Sequence, residues 1–163
     1  MVAVSDTSVV SNLALIGRLP ILRSQFQIVW IPEAVRAELN QIPNAEAKGL
    51  IAQGFQDGWL QWRAVGNPRL AAALSNDLDS GEAEAIALAT EIPAEVLLID
   101  EKEGRAFARQ AGLEVRGVLG ILLRAKATGE VTSVKAEIHA LRNRAGFFVS
   151  PSLEAEVIRG ADE

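Results

Sequence analysis

The sequence feature that most constrains the fold is a short apolar run closed by a carboxylate, Val96-Leu97-Leu98-Ile99-Asp100. The run lacks the 3.6-residue period of an amphipathic helix and reads as a buried strand. Val2-Ala3-Val4-Ser5 followed by Asp6 repeats the arrangement at the start of the chain. In an open parallel sheet, ligands bind beyond the carboxyl ends of the strands. Two aspartates directly after two buried strands therefore project toward one edge of such a sheet.

The rest of the chain supplies the helices that a parallel sheet needs. Val9, Leu13 and Ile16 share one side of a helix that Thr7 or Ser8 can cap. Gln27-Ile-Val-Trp-Ile31 reads as a second strand, and Pro32 stands where a helix can begin. Residues 44–56 read as helix, Trp59-Leu-Gln-Trp62 as an edge strand, and Asn67-Pro68-Arg69 as the start of a short helix. Asn76 to Gly81 is a loop of turn formers, followed by an Ala-rich helix from Glu82 to about Glu91. Helices are expected at 102–111, 118–128, 133–145 and 151–159, with a short strand at Leu113–Arg116. Alternation of strands and helices predicts an α/β fold with a mostly parallel sheet. With 49% hydrophobic residues, the 163-residue chain suffices for one domain, with 117–163 as a helical extension or small subdomain.

Asp6 and Asp100 head the candidate site, although either could simply cap the helix that follows it. Glu82 is the third candidate. Asp79-Ser-Gly-Glu82 also has the spacing of a capping box, with Glu82 reaching back to Asp79. Glu84 competes with Glu82, but two residues span about 200° of a helix, so the two side chains face apart. Glu82 shares its face with Ala85, Ile86 and Ala89 and is preferred. Glu38 lies within a helix, and Glu101 and Glu103 either extend the cluster or serve as first-turn acids favoured by the helix dipole. Grouped carboxylates repel one another and suit a hard divalent cation, which takes oxygen ligands and keeps waters. Such a cation activates water and neutralises charge on a phosphodiester.

Absences prune the alternatives. The chain has no cysteine and no tyrosine, and His139 is its one histidine. Thiolate chemistry, tyrosyl-phosphate intermediates and histidine-pair hydrolysis are thereby excluded. Net charge is −5, but residues 1–100 carry −6 and residues 101–150 carry +4. An acidic body beside a basic segment suits an enzyme that holds cations and touches an anionic substrate. The start lacks the pattern of a signal peptide and no apolar stretch approaches a membrane span, so a cytoplasmic location is expected.

Taken together, Asp6-Thr7-Ser8, Glu38, Gly81-Glu-Ala-Glu-Ala-Ile-Ala-Leu-Ala89 and Leu98-Ile-Asp-Glu101 with Gly104-Arg105 resemble a PIN domain. The resemblance extends to Leu119-Gly-Ile-Leu-Leu-Arg-Ala-Lys-Ala-Thr-Gly129 and is nearest to a prokaryotic branch related to VapC-type toxins. It implies a three-layer α/β/α sandwich and Mg²⁺- or Mn²⁺-dependent endoribonuclease activity on single-stranded RNA. It also implies a homodimer and an inhibitory antitoxin partner. By position, Asp6, Glu38, Glu82 and Asp100 match the family's acidic quartet, and Ser8 its small hydroxyl residue. The chain departs from the pattern with glutamate at Glu82, and with Glu101 and Glu103 where a further aspartate is common.

Arg105 and Arg109 share a helix face and are candidate phosphate ligands. Ser11 and Asn12 lie near Asp6, and Arg116, Arg124, Lys126, Arg142 and Arg144 are candidate backbone contacts. Trp59 and Trp62 suit base stacking, a hydrophobic edge or a dimer surface. Two competing functions are a catalytically degenerate PIN-like binding partner and an Mg²⁺-dependent phospho-acceptor domain. The latter wants an acidic pair ahead of the first helix, which Asp6 lacks.

Overall fold

A computed structural model describes residues 1–163 as strands and helices that alternate for most of the chain. The order begins β1 (Val2–Ser5), α1 (Thr7–Leu15), α2 (Ile21–Gln25), β2 (Ile28–Pro32), α3 (Glu33–Leu39), α4 (Ala45–Gln56) and β3 (Leu60–Arg63). It continues with α5 (Pro68–Leu74), α6 (Ser80–Glu91), β4 (Val96–Leu98), α7 (Lys102–Gln110) and β5 (Val115–Arg116). Three helices close the chain: α8 (Val118–Ala127), α9 (Val134–Ala145) and α10 (Pro151–Gly160).

All five strands are parallel, in the order β3-β2-β1-β4-β5. The chain runs outward from β1 through β2 to β3, then returns so that β4 lies on the other side of β1. This reversal makes the gap between β1 and β4 the topological switch point of the sheet. Backbone pairing holds these two strands together to their ends, with the Asp6 N–H donating to the Leu98 carbonyl at 3.0 Å. The first acid is thus fixed beside the strand that leads to the second.

Strand side chains alternate between two cores. Ala3, Val96 and Leu98 pack with α1, α4 and α8, whereas Val4, Leu97 and Ile99 pack with α6 and Ala108 of α7. The result is a three-layer α/β/α sandwich. A smaller cluster of Val134, Ile138, Val149, Val157 and Ala161 joins α9 to α10. Leu141 of α9 enters the main core, and Arg18 grips the buried Glu137 of α9 through Nε at 3.0 Å and Nη2 at 2.6 Å. The C-terminal helices therefore pack against the sandwich through both an apolar and an ionic contact.

Two local expectations are corrected, and one helix is added to those expected. Asp6, rather than Thr7 or Ser8, caps α1, because its Oδ1 accepts from the Val9 N–H at 3.1 Å. A carboxylate three residues ahead of that N–H meets both the orphan donor and the helix dipole. Trp59 is buried against the main core just before β3 and cannot stack on a base; only Trp62 is substantially exposed, at 47%, with the Arg36 guanidinium 4.4 Å above its ring. The five-residue α2 is an addition to the expected elements, being too short for a helical period to show.

Leu98 has no exposed surface and lies beneath the switch point. Leu98→Ala should cost about 2–5 kcal/mol by loss of burial plus the residual cavity. Urea unfolding measures this directly, and a loss below about 1 kcal/mol would contradict the assigned packing.

Candidate functional site

The site begins where β1 ends. Asp6 is 2% exposed and receives two hydrogen bonds, from Val9 N–H to Oδ1 and from Ser8 Oγ to Oδ2, both at 3.1 Å. Burial nevertheless dominates and pushes its pKa up to about 8; the negative charges of Asp100 and Glu82 add to the effect. Asp6 is therefore a helix cap and also a member of a carboxylate cluster.

Asp100 lies two residues beyond β4 and does not cap the helix that follows it, which Glu101 caps. Its two oxygens accept from the N–H of Val118 at 3.1 and 3.3 Å, at the first turn of α8. Burial raises its pKa to about 6, opposed by the Val118 hydrogen bond and by the positive charge of Arg105. Gly117 makes this clamp possible. A side chain there would collide with the Asp100 carboxylate and stand 2.8 Å from Arg105 Nη1.

Glu82 occupies the first turn of α6, whose N-cap is Asp79. The Asp79 Oδ1 accepts from the Glu82 N–H at 2.8 Å, which is one half of a capping box. Partial burial raises Glu82 to about 7, aided by the charges of Asp79 and Glu101. Glu84 faces elsewhere, and its Oε2 accepts from the Ala34 N–H at 2.9 Å to cap α3.

Glu38 sits on the outer side of this cluster. Burial raises its pKa, Thr7 opposes that, and the charges that reinforce it come from Asp79 and Glu84. Thr7 Oγ1 faces Glu38 but forms no hydrogen bond of good geometry. Gly81 supplies the clearance here: a methyl group at that position would stand 2.6 Å from Glu38 Oε1 and 3.3 Å from Thr7 Oγ1.

Two hollows meet at these residues. A hollow of about 290 Å³ with no hydrophobic lining holds Asp6, Glu38, Asp79 and Glu82. A groove of about 750 Å³ takes in Asp100, Glu101, Arg105 and Arg109. Glu82, Ser8 and Asn12 line both and form the boundary between them. Glu103 is exposed and lines neither hollow. Arg105 is half-buried, with Nη1 3.5 Å from the Ile99 carbonyl, and its positive charge acts on Asp100. Asp79 is the member that reads from the sequence only as a cap; it stands between Glu38 and Glu82 and raises the pKa of both. The capping-box spacing is the one signal that could have found it.

The donors are carboxylate and hydroxyl oxygens, the set a hard divalent cation takes. No three acidic or imidazole side chains close into a ready cage. An ion of the Mg²⁺ type does not require one, because it retains several waters and uses only one or two carboxylates. Burial is the main cause of the raised pKa values of Asp6, Glu82 and Asp100, and a cation bound there would favour their ionised forms. The residues present fit such an ion by donor chemistry and charge.

The same shifts fix a pH dependence. Folding raises the pKa of Asp6 from its ordinary 3.8 to about 8, so the folded state binds more protons across that interval. Its contribution to stability is full below about pH 4 and is lost as pH rises toward 8; Glu82 and Asp100 act in the same direction up to about 7 and about 6. In EDTA, the melting temperature should fall between about pH 4 and 8, and Asp6→Asn should flatten that fall. Parallel profiles for the two proteins would contradict the placement of Asp6.

No helix is long and apolar enough to cross a membrane. Neither a curated protein nor a solved structure matches the chain. A family model described as a PIN domain matches residues 2–163, nearly the entire sequence. With its parallel sheet and its acids at the switch point, the chain belongs to the PIN-domain family.

Proposed function

We propose that this protein is a metal-dependent endoribonuclease that cleaves single-stranded RNA. One observation carries the reading: the buried Asp6 and the half-buried Asp100 flank the β1–β4 switch point, and Asp6 feels the negative charges of both Asp100 and Glu82. Burial that forces carboxylates to resist ionisation is costly, and such perturbed groups concentrate at functional sites. Family membership favours nuclease chemistry over the phospho-acceptor alternative.

Asp6, Glu82 and Asp100 would hold Mg²⁺ or Mn²⁺, which when bound supplies an activated water and offsets charge on the scissile phosphate. The chain's own groups prepare the place. The N–H groups of Val9 and Val118 fix the Asp6 and Asp100 carboxylates at two helix N-termini. Ser8 holds the second Asp6 oxygen and also borders the groove, where it can meet a phosphate oxygen. Arg105 favours the ionised form of Asp100, as a ligand role requires. Glu38 and Asp79 extend the negative field on the other side of Glu82 and suit a second cation or the release of a leaving group.

The family resemblance further supports a biological setting as the toxin of a toxin–antitoxin pair, dimeric and held inactive by an antitoxin. A second reading, a binding protein without catalysis, is favoured by the lack of a closed ligand cage and by the glutamate at position 82.

Incubation of a mixed single-stranded RNA with the protein and Mg²⁺ or Mn²⁺ tests these readings. Cleavage should require the metal and stop with EDTA. Asp6→Asn and Asp100→Asn should each lower the rate by on the order of 10²–10³-fold, as loss of a preorganised charge at the reacting centre does. Calorimetric Mn²⁺ binding separates the two readings. No metal-dependent cleavage and no Mn²⁺ uptake above the Asp6→Asn background would establish the non-catalytic reading.

A further inference from the structure

Phe148 is 83% exposed, the most exposed of the large apolar side chains, yet the backbone on both sides of it is pinned. The Phe147 N–H donates to the Leu141 carbonyl at 3.1 Å, and the Phe147 ring packs on both the main and the C-terminal cores. Val149 is buried, and its carbonyl accepts from Arg142 Nη2 at 3.1 Å. Arg142 is in turn paired with Glu154 of α10. Gly146, at φ 65°, ends α9 in the left-handed conformation and turns the chain into this corner. The corner fixes the backbone beneath an exposed ring. An aromatic side chain has only two χ angles and forfeits little side-chain entropy when it binds something.

The ring lines the same groove as Asp100 and Glu82. Two kinds of residue accompany it there. Lys102, Arg105 and Arg109 lie at i, i+3 and i+7 and so form a cationic stripe on one face of α7. Leu119 and Leu123, one turn apart on α8, provide an apolar floor beside Phe148. Cations in a row beside a flat apolar ring match a polymer that alternates phosphate charge with flat bases. Phe148 stands proud of the surface and does not line a deep socket, which suits a planar partner better than the knob of a protein side chain. A duplex hides its base faces, whereas an unpaired strand offers them.

We propose that Phe148 is a base-stacking platform that, with the α7 cations as phosphate contacts, seats an unpaired strand along the groove leading to the acids. The proposal rests on the ribonuclease reading for the identity of the strand and adds to it a specificity-determining residue far from the carboxylates in sequence. Phenyl has no hydrogen-bonding edge, so the platform takes unpaired bases in general.

The test uses the full chain in EDTA, where binding is read without cleavage. The probe is a single-stranded oligoribonucleotide carrying 2-aminopurine, whose fluorescence falls on stacking; anisotropy reports affinity. Wild type and Phe148→Trp should quench the probe. Phe148→Ala should lose the quench and bind roughly 5- to 100-fold more weakly, with an unchanged melting temperature because the ring is exposed. A duplex of the same sequence should bind more weakly than the single strand. Equal affinity and quench in wild type and Phe148→Ala would overturn the proposal, as would duplex binding as tight as single-strand binding. Unchanged RNA binding by Phe148→Ala with loss of binding to a protein partner would also overturn it and assign the corner to protein docking. Because this assay contains no metal, failure of cleavage by the metal-loaded enzyme counts against the ribonuclease reading alone.

Discussion

The arrangement of this protein depends on the burial of one carboxyl group, Asp6, at the point where the sheet reverses direction. A carboxylate removed from water is costly unless it is hydrogen-bonded or paired with a cation. Asp6 has the hydrogen bonds, from Val9 and Ser8, and still titrates far above the ordinary range because it is buried, with Asp100 and Glu82 nearby. Without a cation the fold thus keeps this carboxyl protonated near neutral pH, and a positive group at the switch point would favour its ionised form.

The surrounding structure serves to keep the acids there. Helix N-termini supply the N–H groups that orient Asp6 and Asp100, and Asp79 ties Glu82 to the first turn of α6. Glycines supply the space. Gly81 lets Glu38 cross the start of α6, and Gly117 lets Asp100 reach back to α8 from 18 residues earlier in the chain. Each gives up helix propensity or backbone entropy in exchange for close approach. The large-volume groove then extends from this centre over α7 and α8 toward the C-terminal corner, joining the most acidic part of the protein to its basic segment.

Much of this is legible from local pattern. Short apolar runs closed by Asp6 and Asp100 locate the strand ends, since a charge that stops such a run marks where the chain leaves the interior. Helix starts are marked by residues whose side chains do cap them, Asn44, Asn67, Ser133 and Ser150 among them. Helix-face arithmetic separates Glu82 from Glu84, because angular position on a helix is a local property. What is not legible depends on long-range pairing. Nothing in β4 itself says that it lies against β1 rather than β3. The bond between Asp100 and Val118 is invisible for the same reason, as is the position of Asp79 between two other acids. Trp59 resembles a surface aromatic because the strand it precedes is an edge strand, yet the start of that strand tucks beneath α4. In sequence, Asp6 reads as either cap or ligand. A carboxylate has two oxygens and several lone pairs, so it serves in the cap while facing the cluster.

The most direct measurement of the central claim is the titration of the Asp6 carboxyl carbon by nuclear magnetic resonance, in EDTA and then with Mg²⁺. Burial among like charges predicts a midpoint near pH 8 without the cation and a fall of at least about two units with it, since a nearby positive charge favours the ionised form. A midpoint near the ordinary 3.8 in EDTA, unmoved by Mg²⁺, would contradict the account.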